Sequence, residues 1–161
     1  MTETEYNKCV SLFADNVYRF ILKNLKHPED AKDVVQTTFE TLWVNRNEVE
    51  NDRSKSYLFT IAYRKMIDHI RKNKRISFKE DFSPETITSA PKYDSKRILN
   101  EALVKLNETQ RSLILLKDYE GYSYEEIGHI TGLNESQVKV YLHRARLILR
   151  EYIVHPENVI E

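Results

Sequence analysis

The sequence predicts an all-α protein: two small helical domains joined by a flexible linker, the second containing a helix-turn-helix. Three observations predict it. Glycine and proline are scarce, three and four in 161 residues, too few for the turns a β-rich fold needs. Apolar residues recur three or four apart over long stretches, the period of an amphipathic helix. Between two such regions lies SFKEDFSPETITSAPKYDS, residues 77–95, with two prolines, four serines and no helical period, which reads as the linker. The domains then cover 1–76 and 96–161.

The first helix spans residues 4–26, with Val10, Phe13, Val17, Phe20, Ile21 and Leu25 on its apolar side. His27-Pro28 ends it, and proline fits the first turn of a second helix to Asn45, where Glu29 and Asp30 favour the positive N-terminal end. That helix buries Ala31, Val34, Val35, Phe39, Leu42 and Trp43. Its opposite face shows Asp33, Gln36, Thr37 and Glu40, a polar stripe suited to hydration or to docking a partner. Residues 45–56 are polar, lack periodicity and read as a loop. A third helix follows from Lys55 to Lys74, with Leu58, Ile61, Ala62, Ile67 and Ile70 inward. Its far half, continuing to Arg75, turns basic at Arg64, Lys65, Arg71, Lys72 and Lys74, and Tyr57, Phe59 and Tyr63 interleave with the helix's polar residues. Rings that stack on bases beside cations that hold phosphates suit single-stranded nucleic acid. Phe59 is assigned to the core, while Tyr57 and Tyr63 are open to either role.

After the linker, helix resumes near Lys96 with Ile98, Leu99, Leu103 and Leu106 apolar. Asn107 caps another helix, which runs through Leu113, Leu115 and Leu116 to Tyr119 and breaks at Glu120-Gly121. Two short helices follow. Ser123 and Asn134 each have a capping partner three residues on, Glu126 and Gln137, and Gly132 between them can adopt the left-handed conformation that closes a helix. At 100° per residue, Val138, Leu142, Ala145 and Leu149 form the inward stripe of the second of these helices, while Ser136, Lys139, Val140, His143, Arg144 and Arg150 point elsewhere. From Gln137 to Arg150 there are four basic residues and no acidic one. An apolar back with a cationic front fits a DNA major groove as well as it fits simple solvation, and the paired caps around a glycine turn favour DNA. The tail from Ile153 has no assignment.

Net charge is zero, but its distribution is uneven. Residues 64–79 hold seven basic side chains and one acidic, whereas 1–52 and 80–133 each hold six basic and ten acidic. A polyanion responds to such local fields rather than to the sum. The single cysteine, Cys9, cannot form an internal disulfide, which suits the reducing cytoplasm, and it reads as a core or groove filler. No apolar run approaches the roughly 20 residues of a membrane span, and MTETEYNK is no signal peptide. A soluble, cytoplasmic protein without membrane insertion is expected. The five histidines show no metal-binding spacing, and there is no glycine-rich phosphate loop or nucleophile elbow. No catalytic residue, metal, cofactor or small-molecule substrate is therefore expected, and the chain reads as a protein other than an enzyme.

The segments DAKDVVQTTFETLW (30–43), SYLFTIAYRKMIDHIRKNKR (56–75) and YSYEEIGHITGLNESQVKVYLHRARLILR (122–150), in this order and spacing, resemble a bacterial RNA polymerase sigma factor of the extracytoplasmic-function (ECF) group of the sigma-70 family. The resemblance covers nearly the whole chain. It implies that Asp33, Gln36, Thr37 and Glu40 dock on the clamp helices of the largest subunit of core RNA polymerase, and that residues 45–56 hold a flipped base of the minus-ten non-template strand. Tyr57, Tyr63, Arg64, Lys65, Arg71, Lys72 and Arg75 would contact that strand and its upstream duplex. In the second domain Ser136, Lys139, Val140, His143 and Arg144 would take the base and phosphate positions on minus-thirty-five promoter DNA, Arg146 a phosphate. Arg144, whose fork can make two hydrogen bonds to guanine, is the leading base contact. The resemblance further implies contact with the second-largest subunit's flap and control by an anti-sigma factor. The chain departs from the family where Ile61-Ala62-Tyr63-Arg64 stands for a common Ile-Ala-X-Asn, and where Val140 replaces a small polar residue.

Three rivals are weighed. A stand-alone regulator of the LuxR type has a similar terminal helix-turn-helix but leaves the polar face and the basic, aromatic block without a task. The others are an enzyme and a purely structural helical adaptor.

Overall fold

The computed structural model describes residues 1–77 and 95–154, with all side chains except those of 75–77 and 95. Every described element is helical. Helix α1 runs Glu3–Leu25, α2 Pro28–Val44, α3 Ser54–Ser77, α4 Ser95–Val104, α5 Glu108–Ile114, α6 Tyr124–Thr131 and α7 Glu135–Val154. Most of the predicted linker, 78–94, and the tail after Val154 lie outside the described residues.

Sequence-local chemistry sets the helix ends. Thr2, Asn107, Ser123 and Asn134 each accept a hydrogen bond from the backbone three residues on, and Glu5, Gln110, Glu126 and Gln137 return one. Each reciprocal pair satisfies two N–H groups that a helix start leaves without intrahelical partners. The Ser123, Asn134 and Asn107 caps are as the sequence predicts. At the α1 C-terminus Lys26 takes the left-handed conformation, φ 63°, and its N–H donates to the Leu22 carbonyl.

Two expectations are corrected. Residues 45–56 are not an open loop: Arg46–Glu48 and Asn51–Arg53 form 3₁₀ turns, Val49 between them is buried, and α3 already starts at Ser54. A polar composition hid these turns because one apolar anchor, Val49, gives no periodicity to read. Helix α5 passes at Leu115 into a π turn, Leu115–Tyr119, where an α-helix to Tyr119 was expected.

The core runs without a break through both halves. Val17, Phe20 and Ile21 of α1, Ala31 and Leu42 of α2, and Leu58, Phe59, Ala62 and Met66 of α3 join Leu113, Leu116, Ile127, Val138 and Leu142 of the second half. Burying each large side chain contributes about 1.5–3 kcal/mol. Phe59 and Cys9 are core residues, as expected, whereas Val35, Trp43, Ile67 and Ile70 are half-buried. Trp43 stands edge-on to Tyr6, centroids 4.9 Å apart, with the Arg46 guanidinium 3.8 Å from its ring.

The halves pack together, α3 along α6 and α1 against α5. Arg111, 8% exposed, lies at this junction. Its guanidinium donates to the carbonyls of Leu103 (2.9 Å), Leu106 (2.6 Å) and Asn24 (3.4 Å), serving acceptors near the ends of α4 and α1. Burial pushes its pKa below the usual arginine value, with Glu108 opposing. Arg19–Glu120 (3.0 Å) and Lys74–Glu108 (2.9 Å) ion pairs flank the junction.

Candidate nucleic-acid interface

Helix α7 is aimed by the turn before it. Gly132 has φ 80°, and its N–H donates to the Gly128 carbonyl at 2.8 Å. The chain then reverses so closely that a Cβ on Gly128 would lie 2.8 Å from the Leu133 carbonyl oxygen. Below α7, Val138, Leu142, Ala145 and Leu149 are buried, so its rotation is fixed by packing. Ser136, Lys139, Val140, His143, Arg144 and Arg146 are all exposed.

At 100° per residue these six split into two rows. Ser136, Val140, His143 and Arg144 share the outermost face, joined by the exposed Leu147. Lys139 and Arg146 lie on the flank toward α6. Arg146 donates to Asp118 at 2.8 Å, a bond that raises its pKa. Lys139 pairs with Glu135 at 3.3 Å, with its Nζ 5.5 Å from the centre of the Tyr124 ring. Lys117 approaches the same ring at 4.7 Å. Lys117 and Tyr124 escaped the sequence reading. Lys117 falls in the π turn and Tyr124 in the first turn of α6, outside the basic run that marks α7.

The seven residues assigned to the minus-ten strand do not form one surface. Tyr57, Arg64 and Arg71 recur every seven residues and share a row on the outer side of α3, with Arg64 and Arg71 exposed. Tyr57 accepts a hydrogen bond from Asn45 at 3.1 Å and borders a cavity of about 260 Å³ lined also by Glu48, Val49, Glu50 and Arg53. Lys65 and Lys72 are rotated by about 100° from the two arginines toward α2 and line a separate groove. Tyr63 turns the other way, toward Thr109 and Glu108 of α5, and burial raises its pKa. The Arg75 side chain lies outside the described residues. A basic run along a helix shows charge but not rotation, and only the neighbours of α3 separate these rows.

On α2, Asp33, Gln36, Thr37 and Glu40 are exposed together. The Gln36 side chain donates to Glu40 at 3.1 Å, and the Thr37 hydroxyl donates to the Asp33 carbonyl at 2.8 Å. No helix among the described residues is long and apolar enough to cross a membrane.

This architecture, a helix-turn-helix with Arg144 on its outer face and Lys139 and Arg146 on its flank, packed on a first domain that carries its own exposed arginine row, defines a two-domain DNA-binding protein. Residues 9–76 match Sigma-70 region 2, and residues 96–149 match Sigma-70, region 4. The chain belongs to the sigma-70 family, in its ECF group, and is an alternative sigma factor that directs promoter-specific transcription. It is 31% identical over 144 residues to the RNA polymerase sigma factor SigV of Bacillus subtilis, covering 88% of this chain and 87% of that one. To the ECF RNA polymerase sigma factor SigM of the same organism it is 27% identical, covering 86% and 89%. Among solved structures, the sigma factor RpoE in complex with the anti-sigma factor NepR from Bartonella quintana shares the fold, with TM-score 0.79, 24% identity and coverage of 93% and 97%. Sigma factors as a family are not enzymes. The LuxR reading has no support, because both halves match sigma regions in order.

Proposed function

We propose that the polar face of α2 docks on the clamp helices of core RNA polymerase, that Tyr57, Arg64 and Arg71 with the cavity at residues 48–57 hold the opened minus-ten strand, and that α7 reads the minus-thirty-five duplex. The observation that carries this reading is the pair of exposed arginine-bearing faces on separate helices, one beside a cavity with an aromatic rim and one on a groove-sized helix. The first suits unstacked bases, the second closed duplex.

Opening the minus-ten element then requires no chemical step. Unstacking costs a few kcal/mol per base, and stacking returns about 1–3 kcal/mol per base, with phosphate contacts added. On α7, Arg144 offers a bidentate donor for guanine, Val140 an apolar contact for a thymine methyl, and Lys139 and Arg146 reach phosphates from the flank. The second domain also contacts the polymerase flap. The chain works in the cytoplasm, where promoter DNA is, and an anti-sigma factor holds it inactive. Among solved structures that share the fold, the sigma factor RpoE is in complex with the anti-sigma factor NepR and CnrH is in complex with the cytosolic domain of CnrY, which supports a partner of that class.

Transcription with reconstituted core polymerase on a randomised promoter library tests this. Enrichment of two motifs, one lost on substituting Arg144 and the other on substituting Arg64 with Arg71, is the expected result. Absence of core binding and of start-site selection overturns the proposal.

A further inference from the structure

Between α2 and α3 lies a groove of about 250 Å³ lined by Asp33, Thr37, Lys65, Asp68, His69 and Lys72. We infer that Lys65 and Lys72 belong to the polymerase-docking surface and not to the minus-ten strand: the groove extends the α2 face onto α3 and takes a polymerase helix that carries acidic side chains about two turns apart.

Three observations carry this. First, Asp33 and Thr37 are shared between the groove and the exposed face of α2, so the two surfaces are continuous. Second, Lys65 and Lys72 are seven residues apart, about 10 Å along the helix axis, and rotated by about 100° from the Arg64 and Arg71 row. A strand lying along that row would meet the arginines while both lysines faced aside. Third, the groove carries both charge signs. Asp33 and Asp68 stand with Lys65 and Lys72, and none of the four forms an ion pair within the protein among the described residues. Phosphates entering it would meet two carboxylates, an unfavourable match, whereas a protein helix with mixed charges can complement all four groups. The groove wall is braced, because His69 Nε2 lies 3.3 Å from Asp30 Oδ2 and 3.1 Å from Asn73 Nδ2. The arrangement divides one basic helix into a row for nucleic acid and a row for protein.

This inference rests on the proposed docking of α2 on polymerase. Its test is competition for core polymerase, without DNA, among the labelled full-length chain and three variants, K65E/K72E, K65A/K72A and R64E/R71E. All of these side chains are at least partly exposed, and circular dichroism checks that each variant remains folded. K65E/K72E is expected to weaken core binding by about tenfold or more and K65A/K72A by about threefold, with R64E/R71E within about twofold of the parent. With core polymerase saturating, capture of a single-stranded minus-ten oligonucleotide should show the reverse, lost in R64E/R71E and kept in K65E/K72E. Core binding by K65E/K72E within about twofold of the parent, or an equal loss in R64E/R71E, overturns the inference while leaving the proposed function standing. Failure of the parent chain to bind core overturns both.

Discussion

Phe59 on α3 meets Tyr122, just before α6, edge to face, with ring centroids 5.5 Å apart and planes at 69°. The same Phe59 ring meets Phe20 of α1 at 5.5 Å, so this aromatic chain ties the first domain's core to the helix-turn-helix. The Tyr122 hydroxyl is buried beside Ser56 without a well-formed hydrogen bond, and burial, with Glu120 and Glu126, pushes its pKa well up.

Packed halves cannot serve both promoter elements at once. A compact chain of this length has a radius of gyration of about 15 Å, whereas elements about 25 base pairs apart are separated by about 85 Å at 3.4 Å per pair. On the proposed assignment of one half to each element the halves separate on polymerase, and the packed state then reduces apparent affinity by its population. Reversing Arg19 and Lys74 to glutamate sets each against a carboxylate, Glu120 and Glu108, and swings the balance by about 2 kcal/mol. The double variant should show a larger radius of gyration by small-angle X-ray scattering at unchanged helix content, and tighter core binding. An unchanged radius and unchanged affinity would mean that these pairs do not hold the halves together.

The turn of the helix-turn-helix gives a second prediction, about its two glycines. Gly132→Ala forces a side chain into φ 80°, at a stability loss of about 1 kcal/mol. Gly128→Ala drives a methyl against the Leu133 carbonyl, so the turn must open and α7 must tilt. Denaturant melts should show both losses. Minus-thirty-five duplex binding, measured where both variants are folded, should fall more for Gly128→Ala, because only that change re-aims the helix.

Those two glycines also mark what the sequence could convey. Gly132 was legible because a glycine between two capping boxes has a defined backbone task. Gly128 sits inside a helix, and its need for space comes from Leu133 folding back over it, a contact that no local pattern encodes. The same division holds on α3. Its length, its core face and the position of Phe59 follow from periodicity, while the sorting of Arg64 from Lys65 and of Tyr57 from Tyr63 depends on where α2 and α5 pack. The anchoring of the 45–56 segment by Val49 was illegible for the same reason, because it rests on burial against the core and not on a repeat, and no repeat in the sequence marks the π turn at Leu115–Tyr119.

On α7 the two rows should behave differently in duplex binding. Arg144→Ala is expected to cost about 1–3 kcal/mol on the preferred minus-thirty-five sequence and to relax selectivity at one base pair. Arg146→Ala should weaken all sequences alike and lower the salt slope by about one. Since Asp118 holds Arg146 in the free protein, Asp118→Asn should strengthen duplex binding without changing sequence preference. Titrations with holoenzyme on matched and single-substituted duplexes at several salt concentrations separate these outcomes, and a sequence-selective effect of Asp118→Asn would place Arg146 on a base.

Lys26 allows a prediction about pH as well as stability. It is the one non-glycine residue among those described with a left-handed backbone. Partial desolvation of the ammonium of Lys26, a residue that still reaches solvent, then Arg111 and Lys105, pull its pKa down to about 8, whereas an unfolded chain keeps the proton to about 10.4. Between those values the unfolded state binds more protons, so this group makes stability rise as pH increases from about 8 toward 10.4. Lys26→Met removes the titrating charge and keeps the strained backbone. It should therefore be more stable than the parent at pH 7, with the difference shrinking as pH approaches 10. Lys26→Gly removes charge and strain together, with an added gain of about 1 kcal/mol from the freed backbone, and that added part should not change with pH. Urea melts of the three proteins at pH 7 and pH 9.5 measure both parts. A parent that loses stability relative to Lys26→Met as pH rises would reverse the sign of the argument and show that the ammonium is held by a partner rather than crowded by cations.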